Sequence, residues 1–272
     1  MLFSEPIRKY DMYPKYQIYK HAWVYKYAPH TEEALTPSYT QELLRKGGWF
    51  VRNTYGFDCA EQTSFWYVIK DTYGELKELS TNTRNQVRHG LNNYSIRRIS
   101  AEELLAQGYA VYCAATHAYK IATQTPTKEE FENRIRHASA DTEYWGAFNP
   151  NNELVAFAIN ETGEDYCSYQ TLKANPADLK KYVYYALIYE MNRYYLQERK
   201  LKYVLDGARS ITEHSNIQPF LENKFHFRKA FCHLKMYYTW WFGLLVRCLY
   251  PFRRFIKNNR IHAVLAMHGM QC

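Results

Sequence analysis

"LDGARSITEHSNIQPFLENKFHFRKA" (205–230) decides how this chain is read. It begins as a β-strand, breaks at Gly207, gathers Asp206, Arg209 and His214, and resumes as a short helix over about 216–224. Asn216 is placed to cap that helix, and Pro219 falls at its third position, where the missing amide would have had no partner in any case. A turn at Phe225–Phe227 then leads into a strand over 231–241. Its Cys232, Leu234, Met236, Tyr238 and Trp240 alternate with His233, Lys235 and Tyr237, the period of a half-buried strand. Strand, glycine break, short helix and closing strand together form a topological marker, and the elements upstream decide which topology it marks.

Working back from that stretch, "LKYVL" supplies the strand, and a helix over 177–196 carries Leu179, Val183, Leu187 and Met191 at a spacing of four. Before it lies a strand–turn–strand pattern. "YWGAF", the turn "NPNN", "ELVAFAIN", the turn "ETGED" and "YCSYQTL" predict an antiparallel meander. Two helices precede the meander: one over 101–121 with Leu104, Leu105, Val111, Tyr112 and Ala115 inward, and one starting at Thr127 with Phe131 and Ile135. "GELKELSTNTRNQVRHGLNNY" (74–94) reads as a further helix, with Leu76, Leu79, Thr83, Val87 and Leu91 on one stripe and Lys77, Arg84 and Arg88 beside it. The first 70 residues read as aromatic strands over 17–27, 49–55 and 64–70, with a short helix in 31–48 ending at Gly47.

Composition narrows the function classes. The chain has 272 residues, 27 of them tyrosine, enough for one large α+β domain with extensions and for clefts lined by rings that still need a hydroxyl partner. Thirty-five Lys and Arg against 27 Asp and Glu leave a charge of +8, which favours an anionic partner such as a phosphorylated cofactor, RNA or an acidic membrane surface. The six cysteines form no C-x-x-C pair, so neither a disulfide framework nor a zinc site is expected. No H-E-x-x-H or G-x-S-x-G occurs, which argues against metalloprotease and serine-hydrolase chemistry. The first residues lack the apolar run of a signal peptide, and a cytoplasmic location is expected. "MYYTWWFGLLVRCLYPF" (236–252) meets Arg247 too soon to span a bilayer, which takes about 20 apolar residues. It reads either as a buried strand running into a helix or, with the basic residues that follow, as a segment lying on an anionic bilayer over 236–260.

The order of elements resembles the acyltransferase fold of the GNAT superfamily, and three stretches resemble its Fem-type branch, which includes peptidoglycan-bridge aminoacyltransferases. They are "LKELSTNTRNQVRHGLNN" (76–93), "VLDGARSI" (204–211) and "IQPFLENKFHFRK" (217–229). The resemblance covers roughly residues 64–245. It implies a mixed central sheet flanked by helices, an aromatic β-rich extension over 1–63 packed on the main domain, a GNAT-like domain over 64–245 and a basic tail over 246–272. It also implies a splayed pair of central strands that admits an anionic acyl donor, whose carbonyl an amine attacks. Two features depart from the family. The junction "TLKANPADLKKYVYY" (171–185) has no Gly-rich loop for the pyrophosphate of coenzyme A, and Pro176 removes an amide. Where many acetyltransferases carry a tyrosine acid, this chain has Glu222, and the usual glycine of the following turn is His226. Acyl-CoA and aminoacyl-tRNA both stay open as donors, the latter used by Fem-type members without a classical cofactor loop.

The candidate residues follow. Asp206 can accept a proton and Arg209 can hold an anion by its planar fork, or the two can simply lock a turn around Gly207. His214 is a candidate general base left unexplained by capping, and Glu222 is the candidate acid implied by the resemblance. Arg84 and Arg88, one helical turn apart, can reach one phosphate or carboxylate, or form a solvated basic face. Tyr169 and Gln170 can line a pocket beside the altered junction, where Lys173 can attract a phosphate. The expected activity is transfer of an acyl or aminoacyl group to an amine of a cell-envelope or sugar-derived acceptor. The alternatives are a non-catalytic binding protein that has lost the cofactor loop, with RNA, tRNA included, or a membrane surface as partner, and a peripheral membrane protein.

Overall fold

The computed structural model describes residues 15–118, 125–211 and 216–271. In chain order its main elements are β1 (Tyr16–Tyr19), β2 (Ala22–Tyr25), α1 (Pro37–Arg45), β3 (Phe50–Tyr55), β4 (Phe65–Lys70), α2 (Glu75–Glu78), α3 (Thr81–Asn93), β5 (Ser95–Ile99), α4 (Ala101–His117), α5 (Lys128–Arg136), β6 (Thr142–Phe148), β7 (Leu154–Thr162), β8 (Tyr166–Ala174), α6 (Pro176–Leu179), α7 (Val183–Asn192), β9 (Tyr203–Ala208), α8 (Ile217–Phe225), β10 (Arg228–Tyr238), α9 (Trp240–Leu249) and α10 (Asn259–His268). The chain divides into two compact units, one of residues 1–66 with 230–272, the other of residues 67–229.

In the second unit, β5, β6, β7 and β8 form the expected antiparallel meander, β9 joins β8 in parallel, and β4 closes on β9 antiparallel. Ala156, Phe157 and Ala158 of β7 are fully buried, as a strand covered on both faces requires. Alternation divides the side chains between the two layers. Tyr144 joins Leu104, Val111, Phe131 and Ile135 on the α4–α5 face, while Trp145 donates its indole N–H to the Tyr195 hydroxyl just past α7. Both helices of the first layer start at reciprocal caps, Ser100 with Glu103 and Thr127 with Glu130, which satisfy two orphan amides each.

Two helices expected to be continuous are broken. The helix read over 74–94 divides at Leu79, because Ser80 accepts from the Thr83 amide and starts α3 afresh. The helix read over 177–196 begins as one turn, α6. It restarts only after Tyr182, which holds a left-handed φ of 64°, and a π-helical turn extends it over Arg193–Glu198. Gly90 explains how closely α3 approaches this restart. A Cβ there would lie 2.6 Å from the Tyr182 carbonyl oxygen.

In the first unit, β2 pairs with β3 in parallel and β3 with β10 antiparallel. The strand read over 17–27 is a hairpin, because Lys20 and His21 both take left-handed φ values (47° and 68°) and turn the chain in two residues. Tyr16, Trp23, Leu43 and Val51 form its core, beside a buried Glu32 that accepts from the Tyr16 hydroxyl, the Asn53 amide and the Thr54 N–H. The expected cap at Asn216 is also corrected: Asn216 occupies the cap position of α8, yet its side chain makes no capping bond.

Candidate active site

The parallel pair β8–β9 opens into a fork. Pairing runs through Tyr166↔Tyr203, Cys167↔Val204 and Ser168↔Leu205, and then stops. Both strands carry an extra residue immediately beyond that point. In β8 the register against β7 steps from Asn160↔Tyr169 to Ile159↔Thr171, so Gln170 is bulged. In β9 the register against β4 steps from Ile69↔Leu205 to Tyr67↔Ala208, so Asp206 and Gly207 together oppose a single residue. Bulges bend and twist the strand that carries them, and two facing bulges turn β8 and β9 apart at one level. Gly207 supplies the left-handed φ of 82° that its bulge needs, and a Cβ there would meet nothing within 4 Å. From Tyr169 onward, the β8 edge facing away from β7 has no strand partner among the described residues, so its outward N–H and C=O groups face the fork.

Asp206 sits at the base of the fork. Burial pushes its carboxyl up to about 7, and contact with the Gln218 side chain opposes that rise. The surrounding backbone is held by Gln218 of α8. Its amide donates to the Asp206 and Ala208 carbonyl oxygens at 3.2 and 3.0 Å, and its carbonyl accepts from the Ser210 N–H at 3.0 Å. One side chain thus satisfies three main-chain groups of the bulge and the turn after it. Sequence reasoning missed Gln218, although its place at the second residue of a helix following a glycine break was the available signal. Gln218→Leu is expected to cost about 2–3 kcal/mol in urea unfolding, from orphaned backbone groups and a looser turn.

Tyr169 forms one wall. Its hydroxyl donates to Asn192 Oδ1 at 2.9 Å, and its ring lies 6.2 Å from Tyr195 and 6.4 Å from Phe227. Burial raises its phenol well above the ordinary value, with Cys167, Tyr195 and Asp206 adding to the rise, so it remains a neutral hydrogen-bonding group. Behind it, the Tyr195 hydroxyl donates to Glu143 at 2.8 Å and accepts from Trp145 at 2.9 Å and Asn160 at 3.2 Å.

The structure separates the other candidates. The bulge at Gln170 places Tyr169 on the α7 side, while Thr171 accepts from Arg134 of α5 and the Lys173 ammonium lies 4.9 Å above the Tyr112 ring of α4. Gln170 binds Glu161 and Ser168 and lines a cavity of about 260 Å³ with Arg134, His137 and Tyr144. Arg84 and Arg88 do meet, in a cavity of about 270 Å³ that they share with Lys77, Glu75, Leu76 and Tyr189. Arg84 donates from Nη2 to the Leu79 carbonyl, and its buried Nε has no acceptor among the described residues. Arg209 follows the end of β9, and Glu222 lies on α8 one turn beyond Gln218. His214 lies outside the described residues.

The junction between β8 and α7 lacks the Gly-rich loop that usually cradles the pyrophosphate of coenzyme A. An anion cradle needs uncommitted amides, and several of those at this junction are used internally. The N–H of Ala177 goes to Asn175 Oδ1, that of Asp178 to Asn175 O, that of Lys181 to Asp178 O, and that of Tyr182 to Leu179 O. The Tyr185 and Ala186 N–H groups both reach the Tyr182 carbonyl, and Pro176 has no N–H to give. From α3, His89 packs edge-on to Tyr182.

No protein-family model and no curated protein sequence matches the chain. Among solved structures, FemX is similar with a TM-score of 0.50 at 11% identity, the match covering 71% of this chain and 66% of FemX, just under two thirds of its length. L-PGS from Bacillus licheniformis is similar with a TM-score of 0.47 at 9% identity, covering 86% of this chain and 77% of that one. The ribosomal-protein-S18-alanine N-acetyltransferase from Escherichia coli follows with a TM-score of 0.32 at 14% identity, covering 39% and 61%. The FemX likeness and the strand order described above give the chain a GNAT-like, Fem-type fold.

Proposed function

We propose that the chain is an N-acyltransferase in which an amine attacks an acyl carbonyl held in the β8–β9 fork. The observation that carries this reading is the Asp206 carboxyl at the base of the fork, whose value of about 7 puts proton acceptance near neutral pH, where a general base works best. As the C–N bond forms, the carboxylate takes the amine proton. The unpaired β8 edge amides face the developing oxyanion, and the C–O bond to the donor breaks with a proton returned to the leaving oxygen. Holding amine and carbonyl in one fork supplies much of the acceleration. Arg209 and the Arg84–Arg88 cavity take anionic groups of the substrates. Glu222 and His214 are the candidates for returning the proton.

The committed amides at the α6–α7 junction favour aminoacyl-tRNA over acyl-CoA as donor, because a nucleic acid is held by side-chain cations along its backbone and needs no loop cradle. The acceptor is an amine of a cell-envelope or sugar-derived molecule, by resemblance to the Fem type. The test incubates the full chain with a pool of labelled aminoacyl-tRNAs or with acetyl-CoA, reading thermal shift and then loss of label to added amines. Aminoacyl-tRNA is expected to raise Tm and to lose its label only with the enzyme present, while acetyl-CoA does neither. A shift with acetyl-CoA alone overturns the donor assignment. Stable tRNA binding without transfer to any amine supports the second reading, a non-catalytic binding protein, which the committed amides also favour.

A further inference from the structure

Among the described residues no helix is long and apolar enough to cross a membrane, yet the C-terminal segment of the first unit carries large apolar side chains that the described residues leave exposed. Helix α9 buries Phe242 and Val246, and Phe242 stacks on Phe50 at 5.7 Å. At 3.6 residues per turn, Trp240, Leu244, Cys248, Trp241 and Leu245 occupy an opposite arc of roughly 140°. That arc contains no charged residue, and Arg247 stands at its edge. Trp240 is 83% exposed and Leu244 59%. The helix is therefore apolar on nearly every side, a composition found in helices buried in protein or in lipid. The turn that follows continues the surface, with Phe252 60% and Phe255 82% exposed.

Charge identifies what meets this surface. Arg247, Arg253, Arg254, Lys257 and Arg260 are interleaved with the apolar side chains, and the sequence contains no acidic residue after Glu222. A second copy of the same face would bring cation against cation with no acid to pair them, whereas a bilayer rich in anionic lipid supplies both the negative charge and the apolar depth. Tryptophan and phenylalanine beside arginine and lysine also suit the boundary between headgroups and acyl chains.

We propose that residues 240–260 form an interfacial docking surface for an anionic lipid bilayer, with the apolar arc of α9, Phe252 and Phe255 inserted to the acyl boundary and the basic residues on the headgroups. The surface combines two weak signals, apolar insertion and charge, of the kind that together give stable attachment.

The experiment is co-sedimentation of the full chain with vesicles of phosphatidylcholine alone and of phosphatidylcholine with about 30% phosphatidylglycerol. Binding is expected only with phosphatidylglycerol, together with a blue shift of tryptophan emission. Two double variants separate the signals: Trp240→Ser with Phe255→Ser, and Arg254→Glu with Lys257→Glu. All four side chains are exposed, so both variants are expected to keep the wild-type Tm, and each to lower the partition coefficient by about tenfold or more. Absence of binding to phosphatidylglycerol vesicles, or full binding by both variants, overturns the proposal. So does a wild-type dimer in sedimentation equilibrium that Trp240→Ser with Phe255→Ser dissociates, since a second copy would then be the occupant.

Discussion

Asp206→Asn is expected to lower acyl transfer by about two to four orders of magnitude, the usual contribution of a positioned general base. The backbone geometry should survive, because Gln218 binds the main chain at Asp206, Ala208 and Ser210. In the wild type, kcat/KM is expected to rise through about pH 7, following ionisation of the carboxyl, and the variant should lack that limb. Stability should move the other way. The folded carboxyl titrates near 7 against an ordinary value of 3.8, so below about pH 4 both states are protonated and the group costs nothing. As pH rises, the unfolded chain ionises first and the native state loses stability relative to it, until the folded group has also ionised above about 7. The cost at pH 8 is about 2–4 kcal/mol. Asparagine cannot ionise, so the variant should be more stable than wild type by about that amount at pH 8 and nearly equal to it near pH 4. Urea unfolding at both pH values reads the difference. Equal stability throughout, or wild-type turnover in the variant, removes Asp206 from the chemistry.

The second large effect concerns the start of the second unit. The Lys70 ammonium is 1% exposed and pairs with Glu78 Oε1 at 2.8 Å, while Glu78 Oε2 accepts from the Gly74 N–H at 2.8 Å. Exposed pairs on this surface, such as Arg97–Glu103, are worth little, because water screens them. Lys70 has no water to fall back on. Glu78→Ala is expected to cost about 3–5 kcal/mol by leaving a buried cation without its anion. Adding Lys70→Met should recover most of that loss, since a methionine of similar length needs no partner. If the double variant is as unstable as Glu78→Ala alone, the damage lies in the lost Gly74 contact and not in the buried charge.

Much of the architecture was legible because it rests on local periodicity. The short apolar runs of β6, β7 and β8 are bounded by turns and read as strands, and the short turns between them leave only an antiparallel pairing. The spacing of Val183, Leu187 and Met191 in α7 and the helix start at Thr127 are likewise local statements. Breaks were harder to read: Ser80 looks like one more helix residue until its hydroxyl is seen taking the Thr83 amide, and nothing in the letters marks Tyr182 for a left-handed backbone. The two-residue turn at Lys20–His21 lacks the glycine or asparagine that announces such turns.

The candidate site divides in the same way. Asp206, Gly207 and the strand that carries them could be picked out from one glycine at the end of a predicted strand. By itself the sequence determined the α+β order, the meander, and the Asp206 turn as the place to look, because each follows from side-chain period and backbone preference over a few residues. Tertiary structure alone decided that β8 and β9 part at one level, that Tyr169 and Lys173 face opposite layers, that Gln218 braces the turn, and that burial lifts the Asp206 carboxyl towards neutrality. Each of these depends on a bulge or a burial created by partners distant in the chain, and no local pattern of residues encodes where those partners will stand.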